Sequence, residues 1–310
     1  MSVPTQVERV PRPRLFGRGF AAQERLLGWL LTVPSIAIIL ALGIYPLLYS
    51  LTLSFRRWDL QRPEHPFIGF ANYAEAFADS RVWGALRNTM LIMGIGVTLE
   101  FVLGLGLALL LVDELRGKRF IIPLLMLPVM MVPVVVAFTW RVLWDARYGA
   151  VNQLLEIILR RDVTIPWLGQ TNTAMVAITV TEIWQWTPFM FLVLLAGLSR
   201  LNPELIEAAS LDGAGWWEGL RDIILPGLAP VIGVAILFRA LDAFRIFDLI
   251  FIFTQGGPGT STETITWYIH QLGIKFFRLG YASAVSYLML IVLTVAVSIY
   301  VSRFMREARG

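Results

Sequence analysis

Four ionisable residues sit inside stretches of chain that are otherwise apolar: Glu100, Glu182, Arg239 and Asp242. In hydrocarbon such groups are costly, so they face protein interior or water and pair with one another. Arg239 and Asp242 are three residues apart on one helical face, close enough to pair. Asp242 and Arg245 repeat the relation, and Asp248 extends the set. A ladder of this kind offers bidentate donors and carboxylate acceptors, the groups that bind a hydroxyl-rich solute. The stretch around Glu182 adds Trp184, Gln185, Trp186 and Phe189, whose aromatic faces suit the C–H side of a sugar ring. Pro188 removes a backbone hydrogen bond there and frees a carbonyl that a cavity could use. The same residues also carry structural readings. Arg239 and Asp242 are then an ion pair holding two helices or two subunits, Trp184 and Trp186 face lipid, and Glu100 is a packing or partner-contact residue.

Bond-making chemistry is not expected. The chain has no cysteine, which excludes disulfides, thiol catalysis and cysteine-ligated metal. Its two histidines, His65 and His270, fall in predicted loops, and no Ser/His/Asp, phosphate-binding or metal-ligating arrangement is visible. No catalytic residue and no metal ligand is assigned, and the chain is not read as an enzyme. The net charge of +4 comes without a basic stripe interleaved with aromatics, so no nucleic-acid partner is expected.

The elements that position these residues are membrane spans. Of the 310 residues, 57% are hydrophobic and 15% charged, against about 25% charged in a soluble domain, and the mean hydropathy is +0.68. Membrane lipid is therefore the main solvent. Six stretches, near 26–54, 88–112, 120–144, 173–198, 223–253 and 281–303, are long and apolar enough to cross a core about 30 Å thick. The expected fold class is an all-α membrane protein with six transmembrane helices. Arg9, Arg12, Arg14, Arg18 and Arg25 precede the first stretch and Arg303, Arg306 and Arg309 follow the last, which puts both termini in the cytoplasm. The bias is weak elsewhere, since the loops assigned outside hold Arg56, Arg57, Arg62, Arg81, Arg87, Arg147, Arg160 and Arg161. Residues 1–25 read as a flexible cytoplasmic tail and 26–310 as the membrane domain, with a core at 86–303. The first stretch is broken by prolines and lacks a small-residue cleavage site, so it is not read as a removable signal peptide. Outside segments are 55–87, with an interfacial helix in FIGFANYAEAF, 145–172, with a helical stretch Asn152 to Leu159, and 254–280, with the turn TQGGPGTST. Gly94, Gly96, Gly104 and Gly106 read as points of close helix packing.

Residues 199–222 form a polar island built like structure. Asn202 and Pro203 read as N-cap and first helical residue, with Glu204 and Glu207 in the first turn. Small Ala208 and Ala209 let another surface come close, and Gly213 and Gly215 end or bend the helix. Asp212 either caps the turn or meets a basic residue of a partner. The order Glu207-Ala208-Ala209, Gly213, then Ile224-Leu225-Pro226 resembles the EAA loop of ABC-importer permeases. FIGFANY, TPFMFLVLLAGL and FRALDAFRIFDLIFIFTQGGPGTST extend the resemblance to the sugar-importer branch, which includes the maltose-transporter permeases, over nearly the whole chain.

That resemblance implies the type I importer permease fold in a bacterial cytoplasmic (inner) membrane, with the chain forming half of a translocation pathway for a carbohydrate. It also implies a second homologous permease subunit and an extracytoplasmic sugar-binding protein. An ATPase dimer would dock on the EAA loop at Glu207, Ala208, Ala209, Asp212 and Gly213. No P-loop is present, since Gly117-Lys118 is followed by Arg119. ATP and Mg then belong to the ATPase, and no cofactor is expected on this chain. Aligned through Pro188 and the EAA loop, the implied substrate positions are Glu182, Gln185, Trp186 and Phe189. Aligned through the Gly-Gly-Pro turn, they are Arg239 and Asp242. The family site is more amide-like, so the identity of the sugar does not carry over. From a different class, an ion-coupled secondary transporter would use Glu182, Asp242 or Glu100 as a proton or sodium site. The paired repeats of such proteins are not visible here.

Overall fold

The computed structural model describes residues 18–112 and 117–307. The chain divides into two units, one ending at Thr52 and the other beginning at Leu53. The first unit is a single helical run: α1 (Arg18–Ile39), a π-helical stretch (Leu40–Ile44), and the start of α2 (Tyr45–Ser54). The apolar run Leu27–Ser54, whose last two residues belong to the second unit, is long enough to cross a membrane. Helix begins at Arg18, so residues 18–25 of the expected tail are helical, and residues 1–17 lie outside the described chain. The expectation of a proline-broken stretch is corrected here, because the helix runs through Pro34 and Pro46. The ring of Pro46 excludes the regular bond to the residue four before it. The π stretch absorbs the misfit, with the Tyr45 N–H bonding Leu40 O.

The second unit continues with α3 (Ala71–Ala78), α4 (Ser80–Leu111), α5 (Lys118–Met130), α6 (Pro133–Leu143), α7 (Ala150–Leu159) and α8 (Thr171–Leu198). After the polar island come α9 (Pro203–Leu211), α10 (Trp216–Gly219), α11 (Leu225–Ala243), α12 (Asp248–Phe253), α13 (Ile265–His270) and α14 (Leu279–Glu307). Four more apolar runs long enough to span, Ser80–Leu111, Thr171–Leu198, Trp216–Phe253 and Leu279–Phe304, match the second, fourth, fifth and sixth stretches read from the sequence. His270 belongs to α13 and not to a loop as expected.

The third stretch is not one straight helix. α5 and α6 meet at 95°. Met131 and Val132 between them are extended, with φ/ψ of −78/140 and −63/132. Proline at 133 explains the place of the break. It disfavours the helical region for the residue before it, while its own fixed φ suits the first position of a new helix. The fifth stretch is interrupted as well. α11 ends at Ala243, and α12 starts afresh at Asp248, an acid well placed in a first turn.

These breaks divide the packing. α5 lies on α8, whereas α6 lies on α12, so the two halves of the third stretch have different neighbours. Trp144, beyond the end of α6, donates from its indole N–H to Thr181 Oγ1 at 3.0 Å, tying that end to α8. The densest contact is α4 against α8, with α11 across both. Its core includes Ala108, Met190, Phe191, Leu194 and Leu228, all 0% exposed. Outside this bundle, Asp79 caps α4 by accepting from the Arg81 N–H at 2.8 Å and from the hydroxyls of Tyr268 and Tyr281 at 2.7 and 2.8 Å. Burial pushes this carboxyl up, but the two tyrosine hydroxyls together with the Arg81 and Val82 N–H groups hold it below the usual carboxylate range.

Only part of the glycine expectation stands. A Cβ on Gly104 would lie 2.8 Å from Phe191 N and 2.9 Å from Met190 Cβ, so this residue sets the α4–α8 approach. At Gly96 it would lie 3.7 Å from Glu100, an ordinary contact, and at Gly94 and Gly106 it would meet nothing. Gly104→Val is therefore expected to destabilise the purified protein by about 1–3 kcal/mol through overpacking, lowering the midpoint of thermal unfolding in detergent. Gly106→Val on the same helix should leave that midpoint unchanged.

Candidate functional site

Among the described residues, Arg239 of α11 is the largest fully buried side chain, at 1% exposure. Its Nε donates to Glu100 Oε2 at 2.6 Å and its Nη2 to Glu100 Oε1 at 2.9 Å, a bidentate pair across to α4. The same Nη2 donates to Glu182 Oε1 of α8 at 2.8 Å, and Nη1 donates to Asp242 Oδ2 at 2.8 Å, one turn along α11. Four of the five guanidinium N–H groups are thereby engaged by carboxylates. The Trp186 ring lies under the cation, 4.7 Å from Cζ to the centroid. Glu100 is 0% exposed and Glu182 5%, so both depend on this partner for compensation. Asp242 also faces Arg245 at 3.6 Å, and both of these side chains are substantially open, at 43% and 71%.

Beside this cluster is a polar cavity of about 280 Å³. α8 contributes Glu182, Gln185 and Trp186, and the end of α11 contributes Asp242. The interruption and the start of α12 add Arg245, Ile246, Phe247, Asp248 and Leu249, and the break in the third stretch adds Pro133. Gln185 is 2% exposed and donates to Met131 O at 3.5 Å, so an amide faces the extended residues of that break. Carboxylates, a guanidinium, an amide and an indole converge here with apolar walls. This combination suits a ligand with many hydroxyls and a C–H face.

Of the six residues read as substrate-binding, Glu182, Gln185, Trp186 and Asp242 line the cavity. Arg239 sits behind them and is not part of the lining. Phe189 is half-buried and does not line it either. Trp184 points elsewhere. Its ring is 5.3 Å from Trp140, edge to face, and it lines an apolar hollow with Leu124, Leu127 and Pro188. α8 continues as one helix through Pro188, and this proline lines the apolar hollow beside Trp184 instead of the polar cavity. Pro133 and Phe247 were not anticipated, although the Val132-Pro133 pair was the available signal.

The polar island folds largely as its residue types predict, except that Glu204 alone lies in the first turn of α9 and Glu207 falls in the next turn, because the helix starts at Pro203. Asn202 Oδ1 accepts from the Glu204 N–H at 3.1 Å at the start of α9. Gly213 has φ +90°, a conformation that costs an L side chain about 1–2 kcal/mol. The Ala214 N–H returns to Ala209 O at 2.9 Å, and Glu218 accepts from the Gly215 N–H at 2.7 Å to open α10. Glu207, Asp212 and Gly213 are exposed, Ala209 is partly so, and Ala208 lies on the helical backbone of α9. Large apolar groups stand out beside them: Leu205 at 58%, Leu211 at 88% and Trp216 at 72%.

Residues 25–308 match the profile of the family described as binding-protein-dependent transport system inner membrane component. The trehalose transport system permease protein SugA of Mycobacterium tuberculosis is 37% identical over 309 residues, covering 99% of this chain and 98% of the relative. The trehalose/maltose transport system permease protein MalF of Thermococcus litoralis is 34% identical over 290 residues, covering 92% and 96%. Among solved structures, a bacterial alginate ABC transporter in complex with an alginate pentasaccharide-bound periplasmic protein contains a chain with the same fold. The TM-score is 0.77 at 24% identity, over 90% of this chain and 94% of that one. A buried charge cluster beside a polar cavity in a helical membrane bundle, and relatives matched from end to end, lead to one assignment: the chain belongs to the binding-protein-dependent transport system inner membrane components and is a transport permease subunit, not an enzyme.

Proposed function

We propose that this permease forms half of the membrane pathway for a carbohydrate, and that the sugar passes through the cavity bounded by Glu182, Gln185, Trp186 and Asp242. One observation carries the reading: the polar cavity lies where two interrupted stretches meet, and α8 and α11, which line it, are also the helices joined by the polar island. Relatives named for trehalose and maltose transport support a sugar as the solute. The ion-coupled alternative is less favoured, because Arg239 already holds Glu100, Glu182 and Asp242, the three carboxylates it would use, and family membership favours ATP as the energy source.

In this reading α9 is the coupling element. ATP and Mg sit on a separate ATPase dimer, and a groove of that dimer seats α9 through Glu207, Ala208, Ala209, Asp212 and Gly213. Leu205 and Leu211 add apolar contact. A seated helix supplies the differential contacts between two states that any conformational change requires. Closure of the ATPases would move α8 and α11 together, because Arg239 ties Glu182 and Glu100 to α11. The cavity would then open outward to take sugar from an external binding protein. A second permease subunit completes the pathway, and both chain termini lie on the ATPase side.

Arg239 acts here as a clamp and Asp242 as a contact to the solute, and the two roles separate by mutation. Arg239→Met strands Glu100 in the core and should cost about 3–5 kcal/mol. Adding Glu100→Met to it should recover part of that loss in thermal unfolding of the detergent-solubilised protein. Asp242→Ala should leave the assembly intact and abolish radiolabelled sugar uptake in proteoliposomes. Unaltered uptake would return Asp242 to a purely structural role. Gly213→Asp and Glu207→Lys should leave the permease in the membrane while removing stimulation of ATP hydrolysis by the sugar-loaded binding protein. Normal stimulation with both changes present would sink the coupling role of α9.

A further inference from the structure

We propose that α7 is an anchor lying flat on the phospholipid surface at the C-terminal end of α6, with its apolar face among the acyl chains and Arg160 and Arg161 on the headgroup phosphates. The helix has ten residues, so it is roughly 15 Å long and too short to cross the hydrocarbon core. Leu154, Ile157 and Ile158 share one face at i, i+3 and i+4, and they are 58%, 74% and 64% exposed. Such a stripe left in water would oppose folding, and a helix of this length can bury it in lipid only by lying along the surface.

The other side of α7 is fastened to the protein. Asn152 is 3% exposed, and its Nδ2 donates to Ala146 O at 3.0 Å and to Ile165 O at 3.1 Å. Its Oδ1 accepts from the Trp167 indole N–H at 2.8 Å. These three bonds fix the rotation of the helix, so the apolar face cannot turn inward. At the C-terminal end Arg160 takes φ +52°, which is unfavourable for a residue with a side chain, and the chain turns sharply there. Arg160 and Arg161 are both exposed, and neither forms an ion pair among the described residues, Asp162 included. Two uncompensated guanidiniums directly after an apolar stripe complement an anionic phosphate layer, with their stems lying along the apolar boundary.

Position makes the anchor consequential. α7 packs against α6, the outer half of the bent third stretch, and α6 packs on α12 beside the cavity. A helix held at the bilayer surface would fix the outer half of that stretch while α5 moves with α8. This holds whatever solute the cavity carries.

The absence of cysteine makes the test direct. A nitroxide on Ile157→Cys would be read by power-saturation EPR, with the chain and its co-purifying partners in phosphatidylethanolamine–phosphatidylglycerol vesicles. Collision with oxygen should exceed collision with a water-soluble nickel chelate several-fold. Replacing both arginines by serine, or phosphatidylglycerol by phosphatidylcholine, should move the label towards water. Greater access to nickel would overturn the proposal, and so would protection from both reagents, which would mean that a protein partner covers this face. Unchanged depth after the arginine replacement would refute the phosphate contact.

Discussion

A single guanidinium holds the centre of this protein together. Arg239 on α11 compensates Glu100 on α4 and Glu182 on α8, and both acids are nearly closed to solvent. Among the described residues, no other joins all three helices of the main bundle through charge. Moving buried charges out of water is expensive, and mutual attraction offsets that expense only when the geometry is good and the remaining donors are engaged. The geometry is good and four of the five donors are engaged, which leaves the cation almost no capacity for a ligand. In the proposed reading the solute is recognised by the rim of the cluster: Asp242, Glu182, Gln185 and the Trp186 ring.

The position of the cavity follows from the same constraint. Unpaired backbone inside a membrane is tolerated where it is buried in protein or lines a polar space. Both interruptions, Met131–Val132 in the third stretch and Phe244–Phe247 in the fifth, border the cavity or the amide that faces it. The charge cluster joins α4, α8 and α11, and the two short helices α6 and α12 pack on each other. A bundle arranged in this way has a charge-tied part, α4, α8 and α11, and a second packed pair, α6 and α12. An importer that exposes one site to two sides in turn needs that division.

Much of this was legible from residue types, and the failures have physical causes. Asn202, Glu204, Gly213 and Gly215 behave as local rules require, because capping and left-handed turns depend on near neighbours alone. Prolines were harder. Pro34, Pro46 and Pro188 sit inside continuous helix, whereas Pro133 marks a sharp break. The difference lies in whether the surroundings hold the helix through the lost bond, and sequence does not display that. Helical geometry could have separated Trp184 from Trp186, since two residues of rotation put them on nearly opposite sides of α8. Only Trp186 shares the face of Glu182 and Gln185. Glu100 is the clearest limit. It lies 139 positions from Arg239, and nothing local identifies its partner.

The central claim is that the cavity beside the Arg239 cluster is the path of the solute and opens alternately to the two sides. Gln185→Cys, introduced as the sole thiol, tests it most directly. The rate of its modification by a membrane-impermeant methanethiosulfonate would be measured in the assembled transporter with and without sugar, and with and without an ATP analogue. The account predicts that the nucleotide changes the rate from one side of the membrane and that sugar slows it. A rate indifferent to both, with the same sugar protecting Trp184→Cys on the opposite side of α8, would contradict it.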